Sequence, residues 1–298
     1  MIFDAIILGG GFAGLQAAIQ LGRYEHSTLV IDSNNGRSTL CKSYHNILGY
    51  PDGVSGQHLR SIGRKQAQEL GVEFVHDTVE TAKKEETYFV LQSKQHEYKG
   101  KLLLIATGVM DRIPPFDSIY PCLGESIYVC PDCDGYEIRN QKTIVLGAGN
   151  AGANMALTLS YWSNHLVFVN HEKKSVDDEI MKQLTQQDIS YIEDSIDDVL
   201  AKGSQFEGVT LKNGKEIKAE KGFIAFGGND VRSDIGKQLG VERLENRHIV
   251  VNPRTKMTSI PNVWAAGDVV AHSEQVTIAM GEGSQAGIWM HKALQKGI

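Results

Sequence analysis

Three short motifs contain the residues of this chain that could carry out chemistry. Cys130-Pro-Asp-Cys133 is a pair of thiols with two residues between them. At this spacing the two sulfurs can form a disulfide, and the pKa of one thiol is often lowered towards neutral pH. Glycine runs at residues 9–14 and 147–152 lie on either side of the dithiol along the chain. Together the motifs predict electron transfer between a bound flavin dinucleotide and a disulfide.

The first glycine run has the context of a dinucleotide-binding turn. Gly9, Gly11 and Gly14 follow the apolar run Phe3–Leu8 and precede a helical pattern. In a strand–turn–helix unit, glycines allow the tight turn and let the backbone approach a pyrophosphate. Asp32 ends the next apolar run, where a carboxylate can bind the ribose hydroxyls of an adenine nucleotide. The spacing therefore predicts a first dinucleotide site.

The second glycine run repeats this arrangement with different flanking residues. It follows the apolar run 142–146, and Asn170 stands at the offset that the acidic residue has in the first unit. An asparagine there can hydrogen-bond a ribose without repelling a 2′-phosphate, and Lys173 and Lys174 could hold that phosphate as point charges. The predicted second nucleotide-binding set is Gly147, Gly149, Asn150, Gly152, Asn170, Lys173 and Lys174.

Composition excludes several classes of protein. The chain has 298 residues, which suggests two domains, and 41% of its residues are hydrophobic and 22% charged, as in ordinary soluble globular proteins. A net charge of −6 without a basic block argues against nucleic-acid binding. No apolar run is long enough for a membrane span and no signal peptide is recognisable. Four cysteines in a chain of this length do not make a secreted disulfide framework, so we expect a reducing, cytoplasmic setting.

A C-x-x-C pair can also be half of a zinc site. Structural zinc needs four ligands, and Cys41 and Cys122 lack the spacing of a second pair. We therefore predict a redox pair and no metal. Cys41 and Cys122 are expected to be buried small apolar residues.

The elements that position these motifs are predicted to form two similar units. An antiparallel excursion is expected over residues 75–101, a central strand over 102–108 and a returning strand over 248–251. Pro114-Pro115 favours an extended crossover between the units. The predicted first domain is discontinuous, with residues 1–115 and 245–298, and the second domain, 116–244, is inserted in it and contains the dithiol.

The motifs together resemble those of the low-molecular-weight thioredoxin reductases, flavoproteins with two dinucleotide-binding domains. The resemblance covers nearly the whole chain and includes Ala106-Thr-Gly108, Cys130–Gly135 and Ala265-Ala-Gly-Asp268 followed by Gln275. It implies an α/β fold of two Rossmann-like three-layer ββα domains, with the nicotinamide-type domain inserted in the FAD domain. It also implies a homodimer that acts on a thioredoxin-like protein or on a small disulfide or dithiol.

The resemblance further assigns roles to individual residues. Cys133 would face the flavin, Cys130 would attack the partner disulfide, and Asp134 would donate a proton to the leaving thiolate. Gln275 and Val276 would lie over the pyrimidine edge of the flavin. The full set of residues expected to bind FAD is Gly9, Gly11, Gly14, Asp32, Gly108, Gly267, Asp268, Gln275 and Val276.

Two departures from the family pattern leave the electron donor and the direction of the reaction open. NADPH-using members have a His-Arg-Arg run where this chain has His171-Glu172-Lys173, so NADPH is expected, with NADH or ferredoxin as alternatives. Residues 37–53 resemble the gliotoxin-type dithiol oxidases, which pass electrons from a small dithiol to oxygen. In that case His45 could be a base near the flavin; an ordinary loop histidine is the alternative.

One residue argues against the oxidase alternative. Asp134 stands where those oxidases often have a histidine, and this favours a reductase. A flavin-binding module without enzymatic activity is a further alternative, and the presence of both Cys130 and Cys133 argues against it.

Overall fold

The structure, a computed structural model, describes residues 1–297. The chain forms two compact units. The first contains Met1–Thr39, Gln57–Met110 and the described chain from Asp230 onward. The second contains Leu40–Gly56 and Asp111–Asn229. The discontinuous arrangement resembles the predicted one, but the boundaries differ from 115 and 245.

Two packing relationships explain the difference in boundaries. The chain after Asn229 returns to the first unit at once, because Asp230–Val231 pairs with Val109–Met110 in an antiparallel ladder. Residues 40–56 leave the first unit, and the backbone N–H of Lys42 donates to the carbonyl of Leu123, 2.9 Å away. No change in composition marks residues 40–56, so the sequence did not predict a domain boundary there.

The elements are numbered in chain order. Up to Met110 the chain forms β1 (Phe3–Leu8), α1 (Phe12–Arg23), β2 (Thr28–Asp32), α2 (Arg37–Leu40), α3 (Gly56–Glu69), β3 (Glu73–His76), β4 (Thr81–Lys84), β5 (Phe89–Gln92), β6 (Glu97–Ile105) and β7 (Val109–Met110). The next segment forms β8 (Ile127–Tyr128), α4 (Pro131–Asp134), β9 (Thr143–Gly147), α5 (Gly149–Leu159), β10 (Leu166–Asn170), α6 (Asp178–Gln186), β11 (Ser190–Ile192), β12 (Ile196–Lys202), β13 (Gln205–Leu211), β14 (Glu216–Lys218) and β15 (Lys221–Ala225). The last segment forms β16 (Asp230–Val231), α7 (Asp234–Gln238), β17 (Val263–Ala265) and α8 (Val276–Gln295).

The first unit is built on a seven-stranded sheet of order β3-β2-β1-β6-β5-β4, with β17 also paired to β6. Strands β1, β2, β3, β6 and β17 pair in parallel, and β4 and β5 add the predicted antiparallel excursion. One continuous strand, β6, serves both the excursion and the centre of the sheet. Helices α1 and α8 pack closely, since a Cβ on Gly283 would lie 2.9 Å from the carbonyl carbon of Ala13.

The second unit contains a five-stranded parallel sheet of order β11-β10-β9-β15-β8. A separate antiparallel sheet, β12-β13-β14, covers residues for which the sequence made no strand prediction. The buried strands β9 and β10 carry apolar residues on both faces, as expected of parallel strands. Two Rossmann-like units, each built on a sheet with parallel strands, confirm the predicted α/β fold class.

The prediction of a returning strand at residues 248–251 is wrong, because Ile249 makes only isolated bridges with Arg243 and Val270.

Among the helices that the structure describes, none has both the length and the apolar character of a bilayer span.

Candidate active site

The dithiol lies at the start of the short helix α4. Cys130 immediately precedes α4 with an extended backbone (φ −114°, ψ 111°), and Pro131 begins the helix. Cys130 and Cys133 form a disulfide with their Cα atoms 5.3 Å apart, within the range that a disulfide requires. The backbone N–H of Cys133 donates to Sγ of Cys130, 3.2 Å away. Both cysteines are half-buried, so the bridge is only partly covered.

Asp134 is the titratable group next to this disulfide. The pKa of its carboxyl group is raised to about 7, mainly by burial and also by the negative charge of Glu137, while the charge of Lys221 opposes the rise. A carboxyl group with this pKa is present in both protonation states near neutral pH. Asp134 can therefore give a proton to a thiolate or accept one from a thiol.

Lys221 is held by two groups, one that precedes strand β8 and one that ends it. Its Nζ donates to the hydroxyl of Tyr128 and to the backbone carbonyl of Glu125, both 2.9 Å away. Burial lowers the pKa of Lys221 and raises the pKa of Tyr128. Lys221, whose charge lowers the pKa of Asp134, is thus fixed by hydrogen bonds to other groups.

The other two cysteines differ from each other in burial. Cys122 is fully buried, as predicted, whereas Cys41 is half-buried. The pKa of Cys41 is raised to about 12, mainly by burial and also by the negative charge of Asp134. The Cys41 thiol donates to the carbonyl of Ser43, 3.3 Å away. A thiol with this pKa is protonated at neutral pH, so Cys41 is not a thiolate nucleophile there.

His45 lies in the same excursion of the second unit. Its Nε2 is 3.1 Å from Oγ of Ser43, and its Nδ1 is buried without a hydrogen-bond partner. A Cβ on Gly53 would lie 3.0 Å from Cδ2 of His45. The ring is therefore packed into its own loop, and its role as a base stays a prediction.

The first glycine turn joins β1 to α1 as the sequence predicts. Gly9 has a left-handed backbone (φ +102°), a conformation that glycine adopts readily. A Cβ on Gly10 would lie 2.8 Å from Oδ2 of Asp32, whereas a Cβ on Gly11 would meet nothing within 4 Å. The turn is thus tight on the side of Asp32 and open at Gly11, where a phosphate group can approach the backbone.

A cavity of about 240 Å³ opens beside this turn, between Asp32, Arg60, Arg64 and Phe74. Nη2 of Arg60 donates to Oδ2 of Asp32 at 2.7 Å, and Nη1 donates to the carbonyl of Gly10 at 2.6 Å. The guanidinium of Arg64 lies over the ring of Phe74, 4.9 Å from its centroid. The cavity has a carboxylate, two cations and an aromatic face, which suit the adenosine end of FAD.

A second group of predicted FAD residues lies where β17 leads towards α8. Gly267 has a left-handed backbone (φ +79°) and donates its N–H to Oε2 of Glu282, 2.9 Å away. Oε1 of Glu282 accepts from Lys256 at 2.7 Å, and its Oε2 lies 2.6 Å from Nε2 of His272. Glu282 is only 6% exposed. Burial alone would raise its pKa, but the hydrogen bonds from His272 and Lys256 hold the pKa below its usual value.

Asp268 follows this turn and is paired with a cation. Its Oδ2 lies 3.2 Å from Nη1 of Arg37, which also contacts Glu274. Burial raises the pKa of Asp268, and the charge of Arg37 opposes the rise. Gln275 immediately precedes α8, whose first residue, Val276, is buried. Arg37 therefore limits the negative charge that Asp268 would present to a phosphate-bearing cofactor.

All nine residues expected to bind FAD lie in the first unit. Gly108 follows β6 with a left-handed backbone (φ +67°) and open space beside it. The open glycine turn, the cavity and the turn at Gly267 fit a dinucleotide. Arg60 and Glu282 were not found from the sequence. Two features of the sequence could have indicated them. Arg60 and Arg64 are four residues apart on a polar helix, and Glu282 is an acidic residue between two glycines in α8.

The second glycine turn also has the predicted strand–turn–helix form, with Gly147 at the end of β9 and Gly149 at the start of α5. Asn170 ends β10, but its side chain is completely buried. Oδ1 accepts from the N–H of Gly149 at 3.0 Å, and Nδ2 donates to the carbonyl of Lys174 at 2.7 Å and to Tyr191 at 3.0 Å. Asn170 is not the exposed ribose ligand that its spacing predicts, because its amide is buried and already hydrogen-bonded to Gly149, Lys174 and Tyr191.

The lysines that follow Asn170 are each paired with a carboxylate. Nζ of Lys173 lies 3.0 Å from Asp194, and Nζ of Lys174 lies 2.8 Å from Glu172. Two nitrogens of Arg112 also bind Glu172, and its pKa is lowered to about 2, mainly by the hydrogen bonds from Arg112 and Lys174. The cations expected to hold a 2′-phosphate are thus already engaged.

His171 has a structural position at the end of the same strand. Its Nδ1 accepts from the backbone N–H of Ile196 at 2.9 Å, and its ring has edge contacts with Phe116 and Phe226. Burial lowers its pKa, so it is a neutral ring at neutral pH. Over residues 1–297, no three potential metal-ligating side chains come close enough together to hold an ion.

The chain is similar to known proteins in both sequence and structure. The family model described as pyridine nucleotide-disulphide oxidoreductase matches residues 3–283. Thioredoxin reductase of Aquifex aeolicus (strain VF5) is 30% identical, over 98% of this chain and 94% of that protein. The crystal structure of HlmI matches with a TM-score of 0.86 at 26% identity, over 99% of this chain and 93% of that one. The oxidoreductase from Agrobacterium tumefaciens matches with a TM-score of 0.80 at 27% identity, over 100% of both chains.

Proposed function

Because the chain belongs to the pyridine nucleotide-disulphide oxidoreductase family, we propose that it reduces the disulfide of a thioredoxin-like protein through Cys130 and Cys133. The chain is an FAD-dependent disulfide oxidoreductase similar to thioredoxin reductases. One observation supports the proposal above the others: a half-buried disulfide stands next to Asp134, whose pKa is raised to about 7. We further propose that the protein is a cytoplasmic homodimer, as the resemblance implies.

We propose that FAD binds the first unit, at residues whose arrangement suits its two ends. Asp32 and Arg60 would hold the adenosine end, with the pyrophosphate at the open backbone of Gly11. Asp268 and Gln275 would contact the flavin end. When bound and reduced by an external electron donor, FAD would supply the electron pair that opens the Cys130–Cys133 disulfide.

The thiol steps are assigned to the two cysteines as follows. The thiolate of Cys130 attacks one sulfur of the partner disulfide, so that a mixed disulfide forms and the other partner sulfur leaves as a thiolate. The thiolate of Cys133 then attacks the sulfur of Cys130. This step restores the internal disulfide and releases the partner as a dithiol, with two electrons transferred. Asp134 donates the proton that the leaving thiolate takes up, which its raised pKa favours.

For the electron donor, the resemblance implies NADPH, with NADH or ferredoxin as alternatives. The residues expected to bind a nicotinamide dinucleotide do not fit it: Asn170 is buried, and Lys173 and Lys174 are paired with carboxylates. No step of the proposal therefore passes through a nicotinamide.

A second candidate function is oxidation of a small dithiol, with oxygen as electron acceptor. It is favoured by the same engaged residues of the second glycine turn, because an oxidase needs no nicotinamide. The resemblance of residues 37–53 to the gliotoxin-type oxidases also favours it. In this direction a substrate dithiol would reduce the Cys130–Cys133 disulfide.

The proposed function is tested by trapping the mixed disulfide. The holoenzyme variants Cys133→Ser and Cys130→Ser are mixed anaerobically with an oxidised bacterial thioredoxin, after reduction with dithiothreitol and its removal. We expect Cys133→Ser to form a covalent adduct that dithiothreitol releases, and Cys130→Ser to form none. An adduct only with Cys130→Ser would reverse the two roles. No adduct with either variant, with oxygen uptake when wild type is given dithiols, would establish the oxidase instead.

A further inference from the structure

The second glycine turn differs from the first in what lies over it. In a dinucleotide-binding turn, phosphate oxygens accept hydrogen bonds from backbone N–H groups at the start of the following helix. The helix here is α5, which begins at Gly149 and has 11 residues. Gly149 and Asn150 are the first two residues of this helix.

The N–H of Gly149 is already bonded. Oδ1 of Asn170 accepts from it at 3.0 Å, and Asn170 is fully buried. The two N–H groups of the same amide donate to Lys174 and Tyr191. A phosphate that took the N–H of Gly149 would have to displace Oδ1 of Asn170 and rearrange all three hydrogen bonds of that amide.

The side chain of Asn150 is bonded as well. Its Nδ2 donates to Oδ2 of Asp177 at 2.8 Å, and its Oδ1 accepts from the N–H of Asp177 at 2.9 Å. This reciprocal pair places a carboxylate beside the first turn of α5, where the helix dipole favours negative charge. Asp177 thus supplies the anion at this helix end, and it would repel the phosphates of a dinucleotide.

The segment between these two contacts passes over the turn. We call residues 171–177 the strap. A Cβ on Gly149 would lie 3.0 Å from Cβ of Lys174 and 3.1 Å from the carbonyl oxygen of Ser175. The strap therefore lies in tight contact with Gly149 and would have to shift to admit even a methyl group on this side of the residue.

The lysines of the strap are not free to attract a phosphate to the closed turn. Glu172 binds both Arg112 and Lys174, and Lys173 is paired with Asp194. A 2′-phosphate would have to separate at least one of these pairs and approach Glu172. A nucleotide without the 2′-phosphate would still meet Asp177 and the blocked N–H of Gly149.

We infer that the strap occupies the phosphate site of the second glycine turn, so that this enzyme does not bind nicotinamide dinucleotides there. Asn170 and Asp177 are the two residues that hold the strap in place. The consequence for catalysis rests on the proposed function: the flavin exchanges electrons with a reactant that does not use this turn. Closure of this turn to nicotinamide dinucleotides does not depend on that function.

The inference is tested by nucleotide binding to the oxidised holoenzyme, without any disulfide partner. Isothermal titration with NADP⁺, NAD⁺ and 2′,5′-ADP is expected to show no saturable binding up to millimolar concentrations. Saturable binding of any of the three in the micromolar range would overturn the inference. Because the disulfide chemistry takes no part, failure of the trapping experiment would leave this result unaffected.

A variant with a matched control tests whether the strap is the cause. Asp177→Ala combined with Glu172→Arg removes the carboxylate beside α5 and the carboxylate that pairs with Arg112 and Lys174. We expect saturable NADP⁺ binding, with a Kd at least about tenfold below the millimolar limit of the wild-type titration. Asp178→Ala combined with Glu172→Arg makes the same charge change one position away. Equal affinity of the two double variants for NADP⁺ would overturn the role of Asp177.

Hydrogen exchange provides a second measurement that does not depend on any gain of binding. The amide of Gly149 is expected to be protected in ligand-free wild type and to exchange at least about tenfold faster in Asn170→Ala. Rapid exchange of this amide in wild type would show that the strap does not close the turn and would overturn the inference. Unchanged exchange in Asn170→Ala would likewise contradict the role of Asn170.

Discussion

The buried carboxylate of Glu282 accepts a hydrogen bond from the backbone N–H of Gly267, 2.9 Å away. Gly267 is a residue of the turn expected to bind the flavin, and Glu282 lies on α8. The same carboxylate binds Lys256 and His272. One acidic side chain thus connects the turn, the loop after it and the helix that follows. We regard Glu282 as a positioning residue for FAD.

The first prediction follows from this connection. Glu282→Gln keeps the shape of the side chain but leaves Lys256 without its negative partner, at a cost of about 1–3 kcal/mol. We expect a lower free energy of unfolding and an FAD affinity reduced roughly tenfold or more. Titration of the apoprotein, followed by flavin fluorescence, measures the affinity. Met280→Gln, at an exposed position of the same helix, is the control. Equal FAD affinity in the two variants would contradict the role of Glu282.

The second prediction concerns Arg60, which connects Asp32 to the carbonyl of Gly10. Arg60→Met should weaken FAD binding by about 1–3 kcal/mol, because it removes charge-assisted hydrogen bonds that hold Asp32 in place. Binding of FMN should be unchanged, since FMN lacks the adenosine end. Lys65→Met, at an exposed position of the same helix, serves as control. A loss of FMN and FAD affinity by the same factor would show that Arg60 does not act through the adenosine end of FAD.

The third prediction is a dependence of stability on pH. The hydrogen bond to Glu282 raises the pKa of His272 above 6.5, so the folded protein holds this proton more tightly than the unfolded chain. The stabilisation is complete below pH 6.5 and is lost as the pH rises through the higher folded value. Urea unfolding of wild type and His272→Gln at several pH values measures it. The difference between the two proteins should shrink with rising pH; a constant or growing difference would refute the assignment.

The fourth prediction concerns proton donation by Asp134. With a pKa of about 7, its carboxyl group is protonated at lower pH, so donation should slow as the pH rises through 7. Asp134→Asn should slow thiol–disulfide exchange roughly 10²–10⁴-fold and remove this pH dependence. The rate is measured by stopped flow as reoxidation of the reduced Cys130–Cys133 dithiol by oxidised thioredoxin. Asp132→Asn, at an exposed position of the same motif, should behave as wild type. Retention of the pH profile in Asp134→Asn would assign the proton to another group.

Sequence patterns predicted those parts of the fold that depend on local spacing. Both glycine turns, the dithiol and the strand that ends at Asp32 follow from neighbours in the chain. The side-chain partners did not follow, because Arg60 and Glu282 reach their partners only through tertiary packing. Asn170 shows the limit most clearly: its offset from the glycines is that of a ribose ligand, yet the fold uses its amide to bond Gly149 and the strap. The excursion at residues 40–56 was missed for the same reason.

The most direct test of the central claim is an anaerobic reductive titration of the purified holoenzyme with dithionite, followed by the flavin absorbance. If bound FAD and the Cys130–Cys133 disulfide form one redox system, wild type should take up about four electrons per FAD, two for the flavin and two for the disulfide. Cys130→Ser and Cys133→Ser should each take up about two, and Cys130→Ser should show a long-wavelength charge-transfer band from the Cys133 thiolate. Uptake of about two electrons by wild type, or equal uptake by all three proteins, would contradict the account.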